Sequence, residues 1–155
     1  MSHAPLAPST VTLSVPMAAP AAEIWRRIVV PELSRVWLGG FAFESSWRVG
    51  EALALAGVLS GRAYRETGTL LALEEGRLLS YSHWSALWRV PHTPQNRAVL
   101  TLTLTPAARG VTVQLHHALP AVEALSQHSH FFWRGALDQL RRIVEGEESG
   151  APGIM

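Results

Sequence analysis

The spacing of apolar residues changes period twice along this chain of 155 residues, and that switching constrains the fold more than any single residue does. A strand-like segment, Val11 to Met17, leads through Pro20 into Ala21, Ile24, Trp25 and Ile28 at helical spacing. Proline suits a first helical turn there, and Glu23 suits the positive end of the helix dipole. Pro31 opens a second, shorter helix in which Leu33, Val36 and Trp37 share a face, until Gly39-Gly40 stops it. From Phe41 onward the period is two, with Gly61, Gly76 and Gly110 separating strand-like runs at hairpin spacing. The clearest alternation sets Leu100, Leu102 and Leu104 against Thr101, Thr103 and Thr105, then Val111, Val113 and Leu115 against Thr112 and Gln114. By parity His117 faces inward and His116 outward.

Helical spacing returns only in the closing segment. Residues placed at steps of about 100° gather Val122, Trp133, Ala136, Leu137, Leu140, Ile143 and Val144 on one arc, with Ser129 among them. Phe131 and Asp138 point away, which predicts either an irregular turn near Ser129 or a contact between Phe131 and another surface. This order of elements predicts an α+β fold: a curved antiparallel sheet wrapped around a long C-terminal helix, with two short helices after the first strand. Such an arrangement tends to enclose a pocket.

The length fits a single domain. Residues 10–146 are expected to form it, between flexible tails at 1–9, rich in Pro, Ala and Ser, and at 147–155, where acids mix with Gly and Pro. Apolar residues make up 48% while charged ones, at 16%, fall below the usual quarter or so, which favours a greasy interior or an apolar cavity. A formal net charge of +1, with arginines scattered through the chain, gives no general attraction to nucleic acid or anionic lipid. There is no cysteine, so disulfides, thiolate chemistry and Cys-ligated metals are excluded. The start lacks a basic segment followed by an apolar one, and the apolar run Ala52 to Val58 is too short to span a bilayer, so a cytoplasmic protein without membrane contact is expected.

The seven histidines include no H-x-x-x-H or H-E-x-x-H pair, and His128 and His130 diverge on a helix. Only a metal site gathered across the fold, such as His83 with His117, stays open, and no metal or cofactor is assigned. The single Asp, Asp138, lies on the outward face of its helix, which removes a Ser-His-Asp arrangement. Glu66 would replace it only if Tyr64, Glu66, Gly68 and Leu70 face inward; a strand glutamate is more often exposed or paired with arginine.

The stretches Ser46-Trp47-Arg48-Val49-Gly50, Gly61 to Gly68 (GRAYRETG) and Gly76 to Trp84 (GRLLSYSHW), with Trp133, Leu137, Leu140 and Glu145 near the end, resemble the START/Bet v 1-like superfamily. Within it the likeness is to the branch named after the activator of Hsp90 ATPase, over residues 11–146. The resemblance implies the helix-grip fold with an apolar cavity between sheet and terminal helix, and it carries no shared catalytic set. It also implies that Leu79 and Tyr81 face inward, and His83 with them. Tyr81, His83, Leu102, Leu115, His117, Ser129 and Trp133 are therefore the candidate pocket residues, mixing apolar area with a few hydrogen-bonding groups. Two readings of the polar members stand: they orient a ligand, or they bond to backbone and to each other and complete the core. The functional expectation is binding of a small hydrophobic or aromatic molecule without covalent chemistry. One alternative is a cyclase-, aromatase- or hydrolase-like enzyme using a pocket histidine as general acid or base. Another is a chaperone-associated interaction module, or a homodimer, using an exposed patch that includes Phe131.

Overall fold

The computed structural model describes residues 6–146; residues 1–5 of the tail expected at 1–9, and the whole tail expected at 147–155, lie outside the described residues, and Ser9 already belongs to the first strand. Strand β1 (Ser9–Met17) is followed by helices α1 (Ala21–Val29) and α2 (Pro31–Trp37). Six more strands come next: β2 (Ala42–Ser45), β3 (Ala52–Leu59), β4 (Arg62–Glu74), β5 (Leu78–Trp84), β6 (Ala98–Ala107) and β7 (Gly110–Leu119). Helix α3 (Leu125–Val144) closes the described chain. All neighbouring strands are antiparallel, in the order β1-β7-β6-β5-β4-β3-β2, so the two strands that flank the helix pair form opposite edges of one sheet. Helix α3 packs against β1 and β7 and also touches α1 and α2.

Local chemistry sets the turns. Ser60 and Gly61 both have positive φ, 52° and 79°, and join Leu59 to its partner Arg62, which is the two-residue turn whose twist matches that of paired strands. In β4 the register shifts by one residue between Leu70 and Ala72. Such a bulge bends a strand and exchanges its faces. Leu73 pairs with Leu79, but beyond the bulge Leu70 pairs with Tyr81 and Gly68 with His83. Leu70 is therefore fully buried and Leu71 is 45% exposed, and the face carrying Glu66 and Tyr64 becomes the face carrying Tyr81 and His83.

The inward residues of the last hairpin, Leu100, Leu102, Leu104, Val111, Val113 and Leu115, are buried together with Trp133, Ala136, Leu137 and Leu140 of α3. The outer face of that helix is charged: Asp138 pairs with Arg141 at 3.2 Å and with Arg142 at 3.1 Å. In α1, Glu23 accepts hydrogen bonds from Arg27 and Arg26, and these hold its carboxyl below the usual range against a smaller opposing effect of burial.

Two expectations need correction. Val36 does not share the buried face of α2; it is 56% exposed, and Ser34 is buried in its place, its hydroxyl donating to the Pro31 carbonyl at 3.1 Å. A helix of two turns is oriented by where Trp37 docks, and the Trp37 ring packs on Trp133 with centroids 6.4 Å apart. Val122 does not lie on the arc of α3, which begins only at Leu125; of the two alternatives raised by the outward Phe131, 84% exposed, the irregular turn near Ser129 is absent.

Candidate functional site

Between the sheet and the first turns of α3 lies a cavity of about 570 Å³. Phe41, Leu55, Trp88, Phe132 and Trp133 supply apolar wall, while Tyr64, Glu66, Tyr81, His83, His117 and Ser129 supply a polar side. The short 3-10 turn Ala86–Trp88 and the loop before α3 border it, with Ala124 held in the left-handed region at φ 64°. A conformation of that kind costs a non-glycine residue roughly 1 kcal/mol and is retained where the surroundings over-determine it. The 3-10 turn is anchored by Ser85, whose hydroxyl oxygen accepts from the Leu87 N–H at 3.1 Å, and the following loop by Trp84, which stacks on His92 with centroids 4.5 Å apart.

Three strands and the helix converge on the polar side. His83 of β5 faces Ala98 across the ladder, and His117 of β7 faces Leu100, so β6 runs between the two histidines. The small side chain of Ala98 leaves room above β6, and the imidazoles meet there, Nε2 to Nε2 at 2.8 Å with ring centroids 5.0 Å apart. The other nitrogen of each ring also has a neighbour. His117 Nδ1 lies 2.6 Å from Ser129 Oγ, and His83 Nδ1 makes an ion-pair contact with Glu66 Oε1, although the angle is not that of a straight hydrogen bond. Glu66 Oε2 accepts from the Tyr64 hydroxyl at 3.0 Å, and Tyr64 in turn bonds to Ser85.

Burial above all, then the proximity of His83 and His116, lowers the pKa of His117 to about 3, so its ring is neutral at ordinary pH. Burial, reinforced by the neighbouring Glu66 and opposed by the Ser85 hydrogen bond, raises Tyr64 to about 12; burial followed by Glu66 raises Tyr81 well above its usual value. Both phenols remain protonated donors.

A carboxylate only accepts, so the proton at the Glu66–His83 contact sits on His83 Nδ1. In the tautomers that carry the His83 proton on Nδ1, His83 Nε2 accepts from His117 Nε2–H, and His117 Nδ1 accepts from the Ser129 hydroxyl. The whole row, Ser129 to His117 to His83 to Glu66, then points its protons one way. Such a chain can pass a proton along itself without leaving charge on its middle member. Among the described residues no group of three or more metal-ligating side chains assembles.

Of the residues singled out in the sequence, Tyr81, His83, His117, Ser129 and Trp133 line this cavity. Leu102 and Leu115 pair with each other across β6 and β7, fully buried, and are not part of its lining. The two histidines bond to each other and also face the cavity. Sequence reasoning left out Tyr64 and Ser85 as site residues and admitted Glu66 only if the alternation Tyr64, Glu66, Gly68, Leu70 faces inward, which is the side on which Tyr64 and Glu66 line the cavity. A larger groove of about 1060 Å³ runs outside α3, along Leu13, Val15, Val36 and Phe131. It gathers no comparable network of hydrogen-bonded polar side chains, so the smaller cavity is the better candidate for a small molecule.

Comparison with known proteins agrees with this geometry. The family model for activator of Hsp90 ATPase homolog 1-like protein matches residues 18–145. No curated protein matches the chain. Among solved structures it is similar to ChR145 from Cytophaga hutchinsonii, at 31% identity and a TM-score of 0.75 over 92% of this chain and 97% of that one. Ara h 8.0201 is 13% identical with a TM-score of 0.68, over 90% and 99% of the two chains. The Aha1 dimer from Colwellia psychrerythraea is 12% identical with a TM-score of 0.70, over 91% and 99%. The last two likenesses concern the fold alone. No helix among the described residues is long and apolar enough to cross a membrane.

Proposed function

The chain belongs to the activator of Hsp90 ATPase homolog 1-like family, within the START/Bet v 1-like superfamily, and from that premise we propose that it binds one small aromatic or apolar molecule in the cavity between sheet and terminal helix. The observation that carries this reading is the cavity itself. Its volume of about 570 Å³ falls inside the range of roughly 300–1,000 Å³ typical of small-molecule sites, and its mixture of aromatic walls with a few convergent polar groups is the composition such sites share. Tyr81, His83, His117, Ser129 and Trp133 are the proposed contacts. Equilibrium titration with the aromatic, polarity-sensitive fluorophore anilinonaphthalene sulfonate tests it, alongside a variant in which Leu55→Trp fills the space. Saturable binding to the native protein that is lost in folded Leu55→Trp supports the proposal, and equal binding to both removes it.

A second reading rests on the outer groove. Phe131 and Val36, 84% and 56% exposed, give it an apolar rim beside the edge strand β1, a surface suited to a second copy of this chain. Sedimentation equilibrium of the native protein and of Phe131→Ser decides it: a dimer that dissociates on substitution supports the contact, and a native monomer ends it.

A further inference from the structure

The row of protons that starts at Ser129 ends on a carboxylate, and the serine is its cavity-facing end. Ser129 Oγ bonds to His117 Nδ1 and to no other described residue, which leaves its oxygen lone pairs to the cavity. Tyr81 presents a second group there. Its side chain is 2% exposed, and its hydroxyl has no hydrogen-bond partner among the described residues. A hydroxyl that meets no protein acceptor and opens on the cavity is available to donate to what the cavity holds. This wall therefore offers the cavity the oxygen lone pairs of Ser129, whose proton is turned to His117, and the hydroxyl of Tyr81, which can donate.

We propose that Ser129, His117, His83 and Glu66 form a proton relay that ionises an acidic hydroxyl, phenolic or enolic, of the molecule bound in the cavity, with Tyr81 donating to the resulting oxyanion. This deepens the ligand-binding reading and rests on it. The step balances within the protein. The ligand O–H bond breaks and its proton bonds to Ser129 Oγ; the proton that Ser129 carried moves to His117 Nδ1; the Nε2 proton of His117 moves to His83 Nε2. The products are a ligand anion and an imidazolium on His83, whose Nδ1–H faces the Glu66 carboxylate. No further reactant is consumed.

The placement of the four groups fits that ending. His117 is 5% exposed and surrounded by apolar strand residues, a poor place for lasting charge, and in the relay it finishes with one ring proton as it began. His83 takes the charge, and it is the ring in contact with a carboxylate. Glu66 is kept as an acceptor by the Tyr64 hydroxyl on its other oxygen, and Tyr64 is itself held by Ser85. The aromatic side of the cavity, Trp88, Phe132 and Trp133, supplies stacking surface for the ring that bears the hydroxyl.

Para-nitrophenol, whose neutral and ionised forms absorb at different wavelengths, is the probe, and para-nitroanisole is its non-ionisable counterpart. Binding is measured by equilibrium dialysis and ionisation by absorbance, in buffer below the pKa of the free phenol, on the native protein and on Ser129→Ala and Glu66→Gln. The expected result is that native protein binds the phenol as its anion. The bound phenol's titration is lowered by about one pH unit or more, tenfold in the ionised ratio. Both variants should bind it with the neutral spectrum. A bound phenol that stays neutral on the native protein overturns the relay, as does an anion seen equally on the native protein and both variants. If the anisole binds and the phenol does not, the relay falls while the cavity reading stands. If neither binds, and the fluorophore does not bind either, the cavity reading falls and the relay with it.

Discussion

Replacing His117 with glutamine should flatten the acid side of the stability profile, and the amount follows from the burial of this ring. In the folded chain its pKa is lowered to about 3, against 6.5 when exposed, chiefly because burial penalises the charged form. The unfolded chain therefore takes up a proton that the native one refuses. For a base held neutral in this way the native state loses ground as pH falls through 6.5, and the loss ceases only near the folded value. Each pH unit inside that window costs at most about 1.4 kcal/mol, for a ceiling of about 5 kcal/mol, and between about pH 7 and about pH 5 the loss is about 2 kcal/mol. Glu23 contributes in the same direction, but its stabilisation is present above 4.5 and lost only below it, so it stays outside this interval, and the difference between native and variant reports the imidazole. Urea unfolding followed by tryptophan fluorescence and far-ultraviolet circular dichroism at several pH values measures the slope. Folded His117→Gln should start less stable, because His83 and Ser129 lose their partner, and should then lose about 2 kcal/mol less than the native protein over the same interval. Parallel profiles for the two proteins would refute the assignment of the acid sensitivity to this ring.

Gly68→Ala places a Cβ 1.6 Å from the Ser82 carbonyl oxygen and 2.9 Å from the His83 Cα; the obstruction is backbone, so β4 and β5 must separate beside the polar wall. A loss of roughly 3 kcal/mol or more, or failure to fold, is expected in thermal denaturation, and a melting temperature equal to the native one would show that the strands are not so close. Leu137→Ala removes a fully buried side chain that fastens α3 to the sheet and should cost about 2–5 kcal/mol in urea unfolding; a loss below about 1 kcal/mol would mean that the helix is not seated as described.

Much of the fold is written in short-range pattern. The alternation of leucine with threonine along β6 names the buried face without any partner, because successive strand residues face opposite sides. The Gly61 and Gly76 turns lie where backbone of positive φ is needed. The arc of α3 from Trp133 onward follows from helical spacing alone, and so does the outward Phe131, while Val122 precedes the helix. The two-turn α2 was less legible, because its face is fixed by the docking of Trp37 on Trp133, which lies far along the chain, and not by its own few apolar residues.

The polar wall divides differently. Sequence parity was enough to turn His117 inward, and the family resemblance, which set Leu79 and Tyr81 inward, carried His83 with them. It could not make Glu66 their neighbour. A single extra residue between Leu70 and Ala72 exchanges the faces of β4 relative to β5, and only with that bulge do Tyr64, Glu66, Tyr81 and His83 share one side. Nor does parity bring His83 and His117 within 2.8 Å across an intervening strand, or set Ser129 against the second ring. The sequence by itself determined the elements, their order and which faces are apolar, because those depend on residues a few positions apart. The tertiary structure decided register, bulge and the meeting of strand and helix, because these are settled by packing between segments distant in the chain, and it is there that separate polar residues became one connected row.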